Sequence, residues 1–593
     1  LLILLSLLDS FTREFAMSIY AGDAGDLELF ERHAFFTGEP NSDRLFPHHL
    51  YRRFLRKKVS LLDPGEVRDL WQKAADCYMK VGNSTDAVAC YRKCENYSGM
   101  IEAIYHYIRS QSEMTASTAR YFLEHIASIP SEQPEYRLGA DYLRAYIYMI
   151  LVRLEESEEL LSDIEKRLLP DAETQDKYDL LCDVYATLGL VHMMQNREDF
   201  ADDFRKAAAA ADHIDPETLA KKSGLTRIHN GNAFSMADNR PSAKERMERA
   251  VYRAVPHMAK VWSGDISGLE FMFSAESAYL SFQPEKAREN AYRCLYKADS
   301  YAQHDLICNA YPLLARIGYM QGDYAEMKKQ VDCVVEHADS HDNHVLRKIR
   351  DHTLAWYYIK LRDPMKVPES ILAFSKTEAH NLDYGRPQII YAHYLLNMGE
   401  YSRMIGMMKD TDKGLYLSRG IWQERIARLI MIAVGYHCLC DHDASTDALW
   451  SAYDLCNDNG LVALFIEAAD YMTGMIQVVR QQDRHIFSQD WLDLIDRESA
   501  AFSGRADKVR TVYNRQNPVK VRANNQLTER EREVLQSIAL GLTREEIAAE
   551  QYVSVNTVKT TLRNIYNKLS ANNKAEAVSI AIAKGYIDGY KFA

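Results

Sequence analysis

The sequence predicts an all-α chain: a long solenoid of helical hairpins, preceded by a small segment of its own and followed by a compact helical domain at the C-terminus. Three observations carry this expectation. Apolar residues recur with helical period almost throughout residues 70–480, with no alternating runs that would mark strands. Polar or glycine-containing breaks return every 37–44 residues along that stretch. Residues 527–593 hold short helical patterns, each opened by a capping hydroxyl residue. Composition agrees. At 593 residues the chain exceeds a single core, and 15 prolines and 26 glycines are few for a β-rich or disordered protein.

In chain order, residues 1–60 form the first segment. Leu1 to Leu8 are apolar but lack a basic leader, are too few for a span and run into Asp9 and Arg13, so they read as a buried helix. The aromatic, basic stretch Phe46–Leu55 follows, and the segment reads as a small helical domain.

Residues 65–500 form the solenoid. Its breaks fall at Arg153, Asn196, Asn239, Gln283, Gly322, Arg362, Gly399 and Asp441, and each is expected to be the turn of a hairpin. Gly322 and Gly399 suit a left-handed helix end, and Tyr324, Ala325 and Tyr401 then pack the second helix on the first. A hairpin cannot bury its apolar face alone. Stacked pairs give a right-handed solenoid of the tetratricopeptide sort, with a concave surface for an effector or partner; a globular all-α bundle explains the regular spacing less well.

Residues 501–526, with the basic run Arg505 to Arg522 and Pro518, are the linker candidate. The formal net charge of −12 speaks against a surface built throughout for nucleic acid. The acid sits in the body. Residues 505–522 carry six Lys/Arg against one Asp, and residues 527–593 carry nine against eight acids. A local DNA-binding module on an acidic scaffold fits that distribution.

In residues 527–593, Thr528 caps a first helix whose Glu529 and Glu531 oppose the dipole, and Val534, Leu535 and Ile538 supply its apolar face up to Gly541. Thr543 caps a second helix, with Glu546 in the capping-box position. Ser554 caps a third, running from Val555 to Tyr566. There Val558, Leu562 and Ile565 must face the core, which leaves Asn556, Thr557, Lys559, Thr560 and Arg563 on the open side. Lys559 and Arg563 can reach guanine edges or phosphates in a major groove; Asn556 and Thr557, at the helix start, suit phosphate oxygens. A surface helix with ordinary solvated charges has the same pattern, so spacing alone leaves both readings open.

Four blocks decide between them: Leu527–Leu535, Gly541–Ala548, Val553–Lys559 and Leu562–Leu569 resemble the LuxR-type helix-turn-helix signature in order and spacing. The resemblance implies that Lys559, Thr560 and Arg563 face the bases and that a fourth helix, at about Lys574 to Lys584, makes a dimer contact. Lys574 keeps a cation where the family has Arg and is implied as a phosphate contact. Gln551 at a usually apolar turn position, Thr561 where His is frequent and the Ser570–Lys574 stretch depart from the pattern.

Upstream, Leu4–Asp9 and Phe46–Leu55 resemble the winged-helix segment of the large ATP-dependent LuxR regulators of the maltose-regulon activator type, and Leu70–Asp76 resembles their first solenoid helix. No Gly-x4-Gly-Lys-Ser/Thr loop occurs, so no cofactor is expected of these residues, ATP belonging to an NTPase domain upstream if one exists. The start without methionine, inside the winged-helix-like element, favours a C-terminal piece of a longer chain.

Ten scattered cysteines without finger spacing read as reduced thiols of a bacterial cytoplasm. His337, His341 and His344 with Asp342 have spacing that could gather a metal. With no thiolate and no second segment supplying ligands, the stretch reads as a hydrated turn, and no metal site is expected. No nucleophile-elbow, zincin or dinucleotide motif is present, so no enzyme is expected. The reading is a sequence-specific transcription regulator, an activator by family expectation. Its partners are promoter DNA, RNA polymerase, a second copy of the chain and a small-molecule or protein effector in the solenoid, with no membrane. The alternative is a helical-repeat interaction scaffold with a vestigial DNA-binding domain.

Overall fold

The computed structural model describes residues 2–6, 8, 10–19, 36–38, 44–58, 63–109, 114–130, 134–169, 174–220, 222, 242–264, 266–341, 343–373, 386–410, 422–456, 460–482, 486–517, 527–551, 553–569, 571 and 574–587. The chain forms two compact units: Leu1–Val191 with Ala209–Leu225, and His192–Ala208 with Thr226–Ala593. Among the described residues no helix is long and apolar enough to cross a membrane.

The first unit opens with the helices Leu2–Leu5, Arg13–Ile19 and His49–Arg56 around a three-stranded antiparallel sheet. In that sheet Arg44–Pro47 is central, pairing Phe11 with Leu45 on one side and Thr37 with Phe46 on the other. The first unit thus joins helices to a small sheet. This corrects the expectation of a purely helical segment, because strands of two to four residues are too short to show alternation. Leu5, Leu8, Phe11 and Phe15 are buried, and the Tyr78 hydroxyl donates to the Ser10 carbonyl at 2.8 Å, tying the segment to the first solenoid helix.

That helix, Pro64–Lys80, begins where the sequence directs it. Asp63 accepts from the Gly65 N–H, Glu66 returns to the Asp63 N–H, and Pro64 occupies a position that needs no amide donor. Trp71 buries its ring under Lys93 of the next helix, Ser84–Lys93, with the ammonium 3.9 Å from the ring centroid.

The hairpin turns share one geometry. Val152, Asn196, Phe282, Gly322, Arg362, Gly399 and Cys440 all take positive φ, between 56° and 78°, at or within one residue of the breaks placed from sequence. The Asn239 break lies outside the described residues. After each left-handed residue the next N–H reaches back five residues: Arg153 to Tyr148, Arg197 to His192, Gln283 to Ala278, Asp323 to Gly318, Asp363 to Tyr358, Glu400 to Leu395 and Asp441 to Tyr436, all at 2.8–3.0 Å. This satisfies a helix-end carbonyl and reverses the chain. Close approach follows within the pair His304–Gln321 and Tyr324–Asp339. A Cβ on Gly318 would stand 2.9 Å from the Met327 amide, so only glycine lets the second helix lie this near.

The expected linker begins later than residue 501. Residues 489–516 are one helix, Gln489–Gln516, with Phe502, Ala506, Val509 and Tyr513 buried. Two of the basic residues counted towards a loose cationic tether are used inside the solenoid. Arg505 donates to the Met320 carbonyl at 2.7 Å, and Arg510 donates to the Lys360 carbonyl at 3.2 Å and to Asp470 at 2.7 Å. A charge count cannot tell an arginine that serves helix-end carbonyls from one left in solvent. Residues 518–526, including Lys520 and Arg522, lie outside the described residues.

Candidate nucleic-acid interface

Four helices, Glu529–Ala539, Arg544–Glu550, Val555–Leu569 and Lys574–Ala583, enclose one core. Leu527, Val534, Leu535, Ile538, Ile547, Val558, Leu562, Ile565, Leu569, Ala577, Ala581 and Ile587 are all buried in it. The caps read from sequence hold it in place. Thr528 accepts from the Glu531 N–H and Glu531 from the Thr528 N–H; Thr543 and Glu546 repeat the arrangement. Ser554 accepts from the Thr557 N–H at 3.1 Å, starting the third helix.

One tie was not legible as a function of either residue alone. Lys568, in the last turn of the third helix, donates to the Glu531 carboxylate at 2.7 Å, fastening the end of that helix to the start of the first. Burial raises the Glu531 pKa, but Lys568 and the Thr528 N–H outweigh it and hold the carboxyl below its ordinary value.

With Val558, Leu562 and Ile565 turned inward, the opposite side of the Val555–Leu569 helix presents Thr557, Lys559, Thr560 and Arg563 to solvent. Among the described residues neither Lys559 nor Arg563 enters an ion pair. One helical turn separates these two cations. Thr557 is part of the cap, its hydroxyl 2.8 Å from the Ser554 hydroxyl. Asn556 sits in the first turn, its side chain outside the described residues. Lys574 is exposed at the start of the fourth helix. Thr561, where the sequence departs from the family pattern, folds its hydroxyl back on the Thr557 carbonyl at 2.9 Å. The surface so formed is narrow, cationic at two points and rich in hydroxyls, which suits phosphates and base edges in a groove.

Residues 525–581 match the luxR family of bacterial regulatory proteins. The transcriptional regulatory protein YdfI of Bacillus subtilis is 52% identical over 68 residues, covering 12% of this chain and 32% of that protein. The HTH-type transcriptional regulator MalT of Vibrio parahaemolyticus is 22% identical over 329 residues, 50% of this chain and 34% of that protein. The chain thus spans about a third of the length of these relatives. Among solved structures, a signal transduction ATPase with a tetratricopeptide repeat sensor from Pyrococcus horikoshii aligns with a TM-score of 0.36 at 14% identity, over 86% of this chain and 64% of that one. The C-terminal domain is a luxR-family helix-turn-helix domain, carried by a chain that is similar over half its length to a large LuxR-type regulator.

Proposed function

We propose that this chain is a sequence-specific transcription regulator, an activator by its resemblance, in which an effector-sensing solenoid controls a dimerising LuxR-type reader. The observation that carries the reading is the two-sided helix Val555–Leu569: an apolar face buried in the domain and an opposite face that exposes Lys559, Thr560 and Arg563 to solvent. Those three would read bases, with Asn556, Thr557 and Lys574 on phosphates. Ten free thiols agree with a reducing cytoplasm.

Control by the body is supported by one contact. Ser579, on the fourth helix that would make the dimer contact, hydrogen-bonds the Met398 carbonyl at the Gly399 turn of the solenoid. Effector binding that shifts this turn would change how freely two readers meet. RNA polymerase would be engaged once the dimer is on DNA.

The test is a DNA shift assay with promoter fragments flanking the gene. Wild-type chain should bind one fragment specifically, with affinity falling steeply as salt rises. Lys559→Ala and Arg563→Ala should each weaken specific binding by about 1–3 kcal/mol. Lys574→Ala should weaken all sequences alike and lower the salt slope by about one. Specific binding that survives the Lys559→Ala, Arg563→Ala pair would overturn the reading in favour of a scaffold.

A further inference from the structure

The hydrated-turn reading of His337 and His341 rested on the lack of a second segment supplying ligands. The fold supplies one. His304 opens the first helix of a hairpin, His304–Gln321, and His337 stands in the last turn of its second helix, Tyr324–Asp339, with His341 in the turn that follows. The two helices are antiparallel, so their free ends meet and the three half-buried rings gather there. Ring centroids are 4.0 Å apart for His304 and His341, 4.7 Å for His337 and His341, and 5.1 Å for His304 and His337. One ligand nitrogen from each ring can be chosen so that all three lie within 4.8 Å of one another. His344 is not among them. It starts the next helix, His344–Lys360, and Asp342 lies outside the described residues.

We propose that His304, His337 and His341 form a binding site for a divalent transition cation of the Zn²⁺, Ni²⁺ or Co²⁺ kind. Two geometric facts support it. His304 Nδ1 and His337 Nε2 face each other at 3.1 Å. Two imidazoles on one tetrahedral zinc, with Zn–N bonds of about 2.0–2.1 Å, place their nitrogens about 3.3 Å apart. The pair therefore needs almost no movement to share an ion. The third ring is already oriented: His341 Nδ1 lies 2.8 Å from the His337 carbonyl, which fixes the proton on Nδ1 and leaves the Nε2 lone pair for a metal.

The ligand chemistry selects the ion. Three imidazoles suit borderline cations and exclude Mg²⁺ and Ca²⁺, which require oxygen. Three protein ligands leave one position of a tetrahedron for water or an exchangeable group. A bound ion would cross-link the open end of a repeat whose other end is closed by the Gly322 turn.

Full-length chain, stripped with chelator, is titrated with ZnCl₂ by calorimetry and with CoCl₂ by visible absorption. One saturable equivalent of Zn²⁺ is expected, with a tetrahedral Co²⁺ band displaced by zinc. His304→Gln and His341→Gln should each weaken this site at least about tenfold and abolish the band. His48→Gln, at a histidine pair elsewhere, should change neither. Zinc should raise the melting temperature of wild-type chain and not that of His341→Gln, a turn substitution that decides the matter even if His304→Gln misfolds. Absence of a saturable site, or a site of unchanged affinity and spectrum in His341→Gln, would overturn the assignment.

Discussion

The Arg510 guanidinium holds the Asp470 carboxylate at 2.7 Å while donating to the Lys360 carbonyl at 3.2 Å, so one side chain joins three helices of the solenoid. Its neighbour Arg505 donates to the carbonyl of Met320, a residue one repeat before Lys360. The long helix Gln489–Gln516 thus serves the carbonyl ends of two successive hairpins with two arginines.

Arg510→Met should therefore destabilise the solenoid by about 1.5–3 kcal/mol, since it removes one of the two arginines, with Arg362, that pair a largely buried carboxylate. Arg515→Met, an exposed change on the same helix, should cost less than about 0.5 kcal/mol. Urea unfolding followed by circular dichroism compares the two.

Acid should loosen the same region. Burial alone would raise the Glu467 and Asp470 pKa values, yet the cations around them win, Arg316 and Lys360 for the first and Arg510 and Arg362 for the second. Both carboxyls are held down to about 2. A depressed carboxylate contributes stability above its unfolded pKa of about 4 and loses it as pH falls through the folded value. Wild-type stability should thus decline between about pH 4.5 and 2, and Glu467→Gln should flatten that decline while costing stability at pH 7. Denaturant midpoints across the range give the measurement.

The turns make a signed prediction. Cys440 is exposed and holds φ at 60°, so Cys440→Gly should raise stability by about 1 kcal/mol by removing left-handed strain. Gly322→Ala has the opposite sign. At φ 78° it is strained, and its Cβ would meet the Arg505 Cβ at 3.1 Å. A loss of about 1–2 kcal/mol is expected.

In the reader, Lys568→Met should lower the stability of the C-terminal domain by about 1–3 kcal/mol, because Glu531 loses a charged partner. Affinity for DNA should fall with folding, and preference among base sequences should not change. A melt of the domain and a shift assay on two operators separate these effects.

Sequence legibility followed locality. The helix-turn-helix could be read because its caps, Thr528, Thr543 and Ser554, act within three residues of themselves. The seven solenoid turns among the described residues could be placed within one residue, since helix reversal demands a polar or glycine break at a fixed point of each hairpin. Non-local pairings were invisible. His304 lies 33 residues from His337, so the one-segment spacing pointed to His344 instead. Arg505 and Arg510 looked like part of a cationic tether because their carbonyl partners lie 185 and 150 residues away. The exposed placement of Lys559 and Arg563 was legible for the converse reason: Val558, Leu562 and Ile565, within a few residues of them, fix which way they face.

Because the long helix continues to Gln516, the reader hangs on a short leash. Whatever path residues 517–526 follow, covalent geometry limits their reach to about 35 Å, where a chain loose from residue 501 could extend about 90 Å. Half-sites on DNA are about 34 Å apart. Two readers seated side by side would therefore bring their large bodies into one neighbourhood, and the room those bodies need becomes a determinant of which operator spacings can be occupied at all.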